Sequence, residues 1–163
     1  MTATTPTTPR AAVPGTRPAA LYTGLALTVL ATLAPLIDIA TIDTLTSHVR
    51  DAYPDWGPDL VAKDRNAIAA YLVATSALGI PLWLVTIRAL TTGKRWARTA
   101  ATLAFAAGTF TALLNLSLSG EHYDVIVPYQ HGTLTLLPCL AGLAAIVPLW
   151  RRPTHTTNAH PTP

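Results

Sequence analysis

Two apolar stretches, Ile68–Leu90 and Thr99–Leu118, flank a turn only a few residues long, Gly93-Lys94-Arg95-Trp96-Ala97-Arg98. No other feature constrains the fold as tightly. Each stretch is about as long as a helix that crosses a ~30 Å hydrocarbon core, and the turn between them is too short to be a domain. The turn is also basic, and Lys and Arg in short loops concentrate on the cytoplasmic side of a membrane. The pair reads as a helical hairpin, with Ile68–Leu90 running inward and Thr99–Leu118 running back out.

Two further stretches have the same character. Ala19–Thr41 is uncharged from Leu21 to Ile37 and ends among Asp38 and Asp43. It exceeds the usual h-region of a cleaved signal peptide and lacks a clean small-x-small cleavage site, so it reads as a retained anchor. Pro35 is expected to kink it, because proline removes a backbone donor and crowds the preceding turn. Gly132–Trp150, interrupted by Pro138 and Pro148, closes on Arg151-Arg152. Only 12% of the residues are charged and the mean hydropathy is +0.38, which places the chain in the membrane class. The fold expected is all-α, a bundle of four transmembrane helices (residues 19–41, 68–90, 99–118 and 132–150) within a domain of residues 19–152. Residues 1–18 and 153–163, rich in Thr and Pro, read as disordered tails.

The longest connection, residues 42–67, holds most of the acids. Ile42, Leu45, Val49 and Tyr53 recur at helical spacing and predict a short amphipathic helix on the outer surface. Pro54-Asp55-Trp56-Gly57-Pro58 reads as a tight turn, and Pro58 followed by Asp59 suits the first turn of a helix that starts ahead of the membrane. Tyr53 and Trp56 are residue types that anchor at an interface.

The distribution of bases orients the chain. Arg10, Arg17, Arg88, Lys94, Arg95, Arg98, Arg151 and Arg152 fall on the side of the basic turn. Only Arg50, Lys63 and Arg65 fall on the other, together with all eight acids. Both termini are therefore expected in the cytoplasm. Arg88, Trp96 and Trp150 stand where side chains snorkel or anchor at the inner interface. The pI of about 9.4 is explained by these juxtamembrane bases, which form no separate patch for nucleic acid.

Chemistry-bearing residues are few. Asp38 lies near the outer edge of the first span, where a carboxylate either faces a cavity as a cation or proton site or sits solvated at a helix end. Asn115, His122 and His131 are expected at the same level and could line an outward polar pocket with it; polar helix ends and loops are the plainer reading. His122 and His131 are spaced as no zinc motif is, and His131 sits at the membrane edge, unlike a buried haem ligand. No metal or other cofactor is expected, and no nucleophile–base pair is visible. The single cysteine, Cys139, reads as a small core residue. Ala100, Ala104, Gly108 and Ala112 repeat every four residues, a ridge that lets a second helix approach closely or that an Ala-rich sequence produces by chance.

The basic hairpin Gly93-Lys94-Arg95-Trp96-Ala97-Arg98, and Leu137-Pro138-Cys139-Leu140-Ala141-Gly142 leading to Trp150-Arg151-Arg152, resemble those of small four-span membrane proteins of actinobacteria. The resemblance covers Pro18 to Arg152. It implies a bacterial plasma-membrane location and four spans, and it carries no activity; the high Ala, Thr, Pro and Arg usage fits a GC-rich genome. The function expected is a non-enzymatic protein that associates through the Ala100–Ala112 ridge with a second copy or another membrane protein. The alternative is a small transporter or ligand-binding bundle built around Asp38.

Overall fold

The computed structural model describes residues 17–120 and 122–151. Among them five helices follow one another: α1 (Pro18–Ala40), α2 (Thr44–Ala52), α3 (Pro58–Thr91), α4 (Ala97–Ser117) and α5 (Tyr129–Trp150). α1, α3, α4 and α5 are each long and apolar enough to cross a membrane. The fold is thus all-α, with the four candidate spans of a multi-pass membrane protein. Helix is the conformation that satisfies backbone N–H and C=O groups within one segment, as hydrocarbon demands. The helices continue through Pro35, Pro81, Pro138 and Pro148. The two expected tails, with Arg152, lie outside the described residues apart from Arg17 and Pro18.

α3 has 34 residues, about 50 Å at 1.5 Å per residue, so it exceeds the hydrocarbon thickness by several turns. Its start follows the local chemistry: Pro58 occupies the first turn and Asp59 complements the N-terminal dipole. Its end is set by Gly93, which adopts φ 64°. The Lys94 N–H donates to the Ala89 carbonyl at 3.0 Å and the Gly93 N–H to Leu90 at 3.3 Å. This paired closure needs a left-handed residue, so glycine turns the chain directly into α4.

α1 packs against α3 and α5, and α4 packs against α5 but more sparsely against α3. The four spans form a ring in the order α1, α3, α4, α5, and its loosest seam is α3–α4. Packing concentrates at the two ends. Leu21, Leu90, Ala97, Ala101 and Leu149 join α1, α3, α4 and α5 around the basic turn. At the opposite end, labelled outer after the expectation from the bases, Leu45, Val49, Ile68, Leu72, Tyr123 and Val127 join α2 and α3 to the 118–128 loop. Between these clusters Trp83 reaches across to α1. A Cβ at Gly24 would collide with the indole, so the ring occupies space that only glycine leaves open.

The outer segment differs from a helix lying on the membrane. Leu45 and Val49 are fully buried, whereas Ile42 precedes α2 and is 79% exposed. The apolar face of α2 finds Ile68, Leu72 and Val127 on the bundle's own outer end. Burial there removes more apolar surface from water than a shallow position among headgroups. Tyr53 likewise stacks on Trp56 with centroids 3.8 Å apart, and the Trp56 N–H donates to the Tyr53 carbonyl, closing the expected turn.

Candidate functional site: a side-open cavity between α3 and α4

Asp38 belongs to the outer cap. Its Oδ1 accepts the Thr44 hydroxyl at 2.6 Å and its Oδ2 accepts the Leu45 backbone N–H at 3.1 Å. Thr44 in turn accepts from the Gln130 Nε2 at 2.6 Å, so one chain of hydrogen bonds ties α1, α2 and α5. The carboxylate supplies an acceptor to the first turn of α2, whose own flanking residue Asp43 adopts φ 54° and makes no side-chain cap. Both carboxylate oxygens of Asp38 are thus engaged in holding α2.

Of the other three residues grouped with Asp38, His131 lies near it and His122 and Asn115 do not. His131 is buried in the first turn of α5, close enough to Asp38 and His48 to interact electrostatically, and its Nδ1 has no partner among the described residues. His122 is exposed and tilts against Tyr53 at 4.9 Å in a surface aromatic group. Asn115 lines an interior cavity that includes none of the others. Helices that share a level at the membrane edge can still present that level to different neighbours, and these do.

The outer cap is held by polar contacts that sequence periodicity did not single out. The His48 Nε2 sits 3.0 Å from the Val125 carbonyl and 3.2 Å from that of Ile126; carbonyls only accept, so this nitrogen carries the proton. The Tyr123 hydroxyl donates to Asp64. Burial, followed by that bond and the nearby carboxylate charge, pushes the Tyr123 phenol well above its ordinary value. Arg65 pairs with Asp43 at 3.3 Å. Desolvation opposes ionisation of Asp43, but the Thr46 hydrogen bonds and the Arg65 charge together outweigh it and hold the carboxyl below its ordinary value.

Beneath this cap lies a cavity of about 280 Å³ that reaches from Leu21 and Leu149 to Asn115. Leu78 and Leu82 of α3 and Gly108 and Thr111 of α4 border it. Leu78 is 73% exposed, and a Cβ at Gly108 would meet nothing within 4 Å. The cavity therefore opens sideways between α3 and α4, towards what would be the bilayer. Ala104 and Gly108 of the small-residue ridge border this opening and Ala112 lines the cavity behind it; among the described residues nothing packs against Gly108. Ala100 continues the ridge, partly buried, towards the basic turn. Within the described residues the small side chains here leave space.

No charged side chain and no histidine lines the cavity among the described residues. Its polar groups are hydroxyls, the Trp83 indole, Cys139 and Asn115. The hydroxyl protons of Thr28, Thr75, Thr111 and Thr135 go to carbonyls of their own helices, at 2.7–3.0 Å. Asn115, 1% exposed, accepts the Tyr71 hydroxyl at 2.9 Å and so bridges α3 and α4 at the outer end of the opening. The basic and aromatic positions of the inner end, Arg88, Lys94, Arg95, Trp96, Arg98, Trp150 and Arg151, are exposed, and the Trp150 indole donates to Thr102 at 3.2 Å. Among the described residues no three His, Cys, Asp or Glu side chains gather as a metal-binding group.

No protein-family model, curated protein or solved structure matches the chain. The chemistry of the cavity must speak for itself. Among the described residues its lining holds neither a nucleophile with a base beside it nor a charged relay, and its size and mainly apolar lining suit an uncharged molecule.

Proposed function

We propose that the chain is a multi-pass protein of a bacterial plasma membrane, with both termini in the cytoplasm, that acts without catalysis by holding a guest between α3 and α4. The orientation rests on the bases gathered around the α3–α4 turn and the two termini. The observation that carries the function is the cavity that opens sideways past Gly108. Ligand sites are concave, mostly apolar and furnished with a few placed polar groups, and a cavity of about 280 Å³ with Asn115 at one end has that composition. Charged substrates find no charged side chain among the described lining residues to replace their hydration.

A second reading follows from the same ridge. A transmembrane helix of another chain laid along Ala104 and Gly108 would gain close dispersion contacts, and the open face at Gly108 favours it. Native mass spectrometry of protein released gently from its own membrane separates the two. A monomer with a reproducible extra mass supports guest binding. A stable dimer or hetero-complex free of small molecules supports helix association and refutes the first reading.

A further inference from the structure

Resting on the guest-binding reading, we infer that the guest is an uncharged molecule with an apolar body and one hydrogen-bond-accepting oxygen, which the amide N–H groups of Asn115 bind at the outer end of the cavity. The argument is one of supply. Thr28, Thr75, Thr111 and Thr135 donate their hydroxyl protons to backbone carbonyls, so they show a guest methyl groups and oxygen lone pairs, while Ser76, Trp83 and Thr86 line the cavity further along α3, away from its Asn115 end. Asn115 differs. Its Oδ1 is taken by Tyr71, and among the described residues no hydrogen bond engages its amide nitrogen. An asparagine amide has two N–H donors, and at 1% exposure they stand in a low-dielectric site where an unmade bond is costly.

The complementary group is an acceptor with no proton or charge to bury: a ketone, quinone or ester carbonyl. A carboxylate is excluded by the lack of any cation in the lining, because a buried charge needs a partner. The body of the guest must be apolar, since below Asn115 it meets Trp83, Phe105 and Leu149. Access is sideways between Leu82 and Gly108, so such a molecule arrives from the bilayer and need not cross the packed outer cap. Asn115 sits within the last turn of α4, so the oxygen lies near the interface and the chain points inward, the orientation an amphiphile already has in a leaflet.

The test uses the full chain in vesicles with two probes, a diazirine-bearing medium-chain methyl ketone and the matched diazirine-bearing alkane. Labelled residues are mapped by mass spectrometry. Expected is labelling of α3 and α4 around the opening by both probes, with the ketone half-saturating at about tenfold lower concentration, as one buried hydrogen bond provides. Asn115→Leu removes that preference and leaves alkane labelling in place. Should that variant not fold, the wild type decides: the carbonyl stretch of an isotope-labelled ketone moves to lower frequency on binding, and an unmoved band overturns the inference. Equal labelling by the two probes overturns the role of Asn115 and leaves the guest-binding reading standing. Absence of label from the cavity overturns both. Running the assay in ester-linked and ether-linked phospholipid identifies the source of the oxygen. A ketone preference in both supports a free carbonyl guest, and one confined to ether-linked vesicles shows that the lipid's own ester carbonyl holds the site.

Discussion

Replacing Asp38 by alanine tests whether this carboxylate is a clamp for α2. The substitution deletes the acceptors of the Thr44 hydroxyl (2.6 Å) and the Leu45 N–H (3.1 Å), while the backbone bond from Asp43 N–H to the Asp38 carbonyl remains. Loss of a helix cap costs about 1 kcal/mol, and hydrogen bonds to a charged acceptor about 1.5–3. Asp38 is only partly buried, so water recovers some of this and about 1–2 kcal/mol is the expected net. Leu45 and Val49 are fully buried and each contributes about 1.5–3 kcal/mol, so α2 stays docked but opens more often. Amide exchange across residues 44–52 should accelerate roughly five- to thirtyfold, since ~1.4 kcal/mol is a factor of ten. Exchange in the middle of α5 should not change. Asp38→Asn keeps one acceptor oxygen and should fall between the two. Hydrogen exchange read by mass spectrometry in nanodiscs measures this directly. Wild-type exchange in α2 together with lost labelling of the cavity would refute the reasoning and restore Asp38 as a site residue.

Gly24→Ala drives a Cβ into the Trp83 ring and should lower stability by about 1–3 kcal/mol through overpacking. Adding Trp83→Leu should recover most of that loss in thermal unfolding, and an additive double mutant would show that the clash is not the cause. Tyr123 has its phenol pKa raised from 10.0, so the outer cap keeps this contribution below about pH 10 and loses it as pH rises through the higher folded value. Amide exchange of the 122–128 loop should therefore accelerate at alkaline pH in the wild type. Tyr123→Phe should exchange faster at neutral pH, with that alkaline step gone, and a retained step would assign it to another group. In a Cys139→Ser background, Lys94→Cys should react with impermeant thiol reagents only from the cytoplasmic side and Asp55→Cys only from the outside. The opposite pattern would invert the proposed topology.

The sequence by itself determined the spans, because a helix in hydrocarbon satisfies its backbone within its own segment and its length is written in consecutive residues. α1, α4 and α5 begin and end within three residues of the bounds that apolarity sets. Pro58 and Asp59 started α3 ahead of its span, and Gly93 turned it into α4, each through contacts within a few positions along the chain. The roles of Asp38, Leu45 and Gly108 were decided elsewhere. Asp38 caps a helix only because α2 folds back over the bundle, and Leu45 is buried only because Ile68 and Val127 arrive beside it. The Ala100–Ala112 repeat is compatible with a helix contact or with an open wall. Trp83 wedged against Gly24, and packing concentrated at the two ends, leave the middle of the α3–α4 seam open. A cavity is the space left between elements distant in sequence, so no single element encodes it; it exists only once all four spans have found their separations.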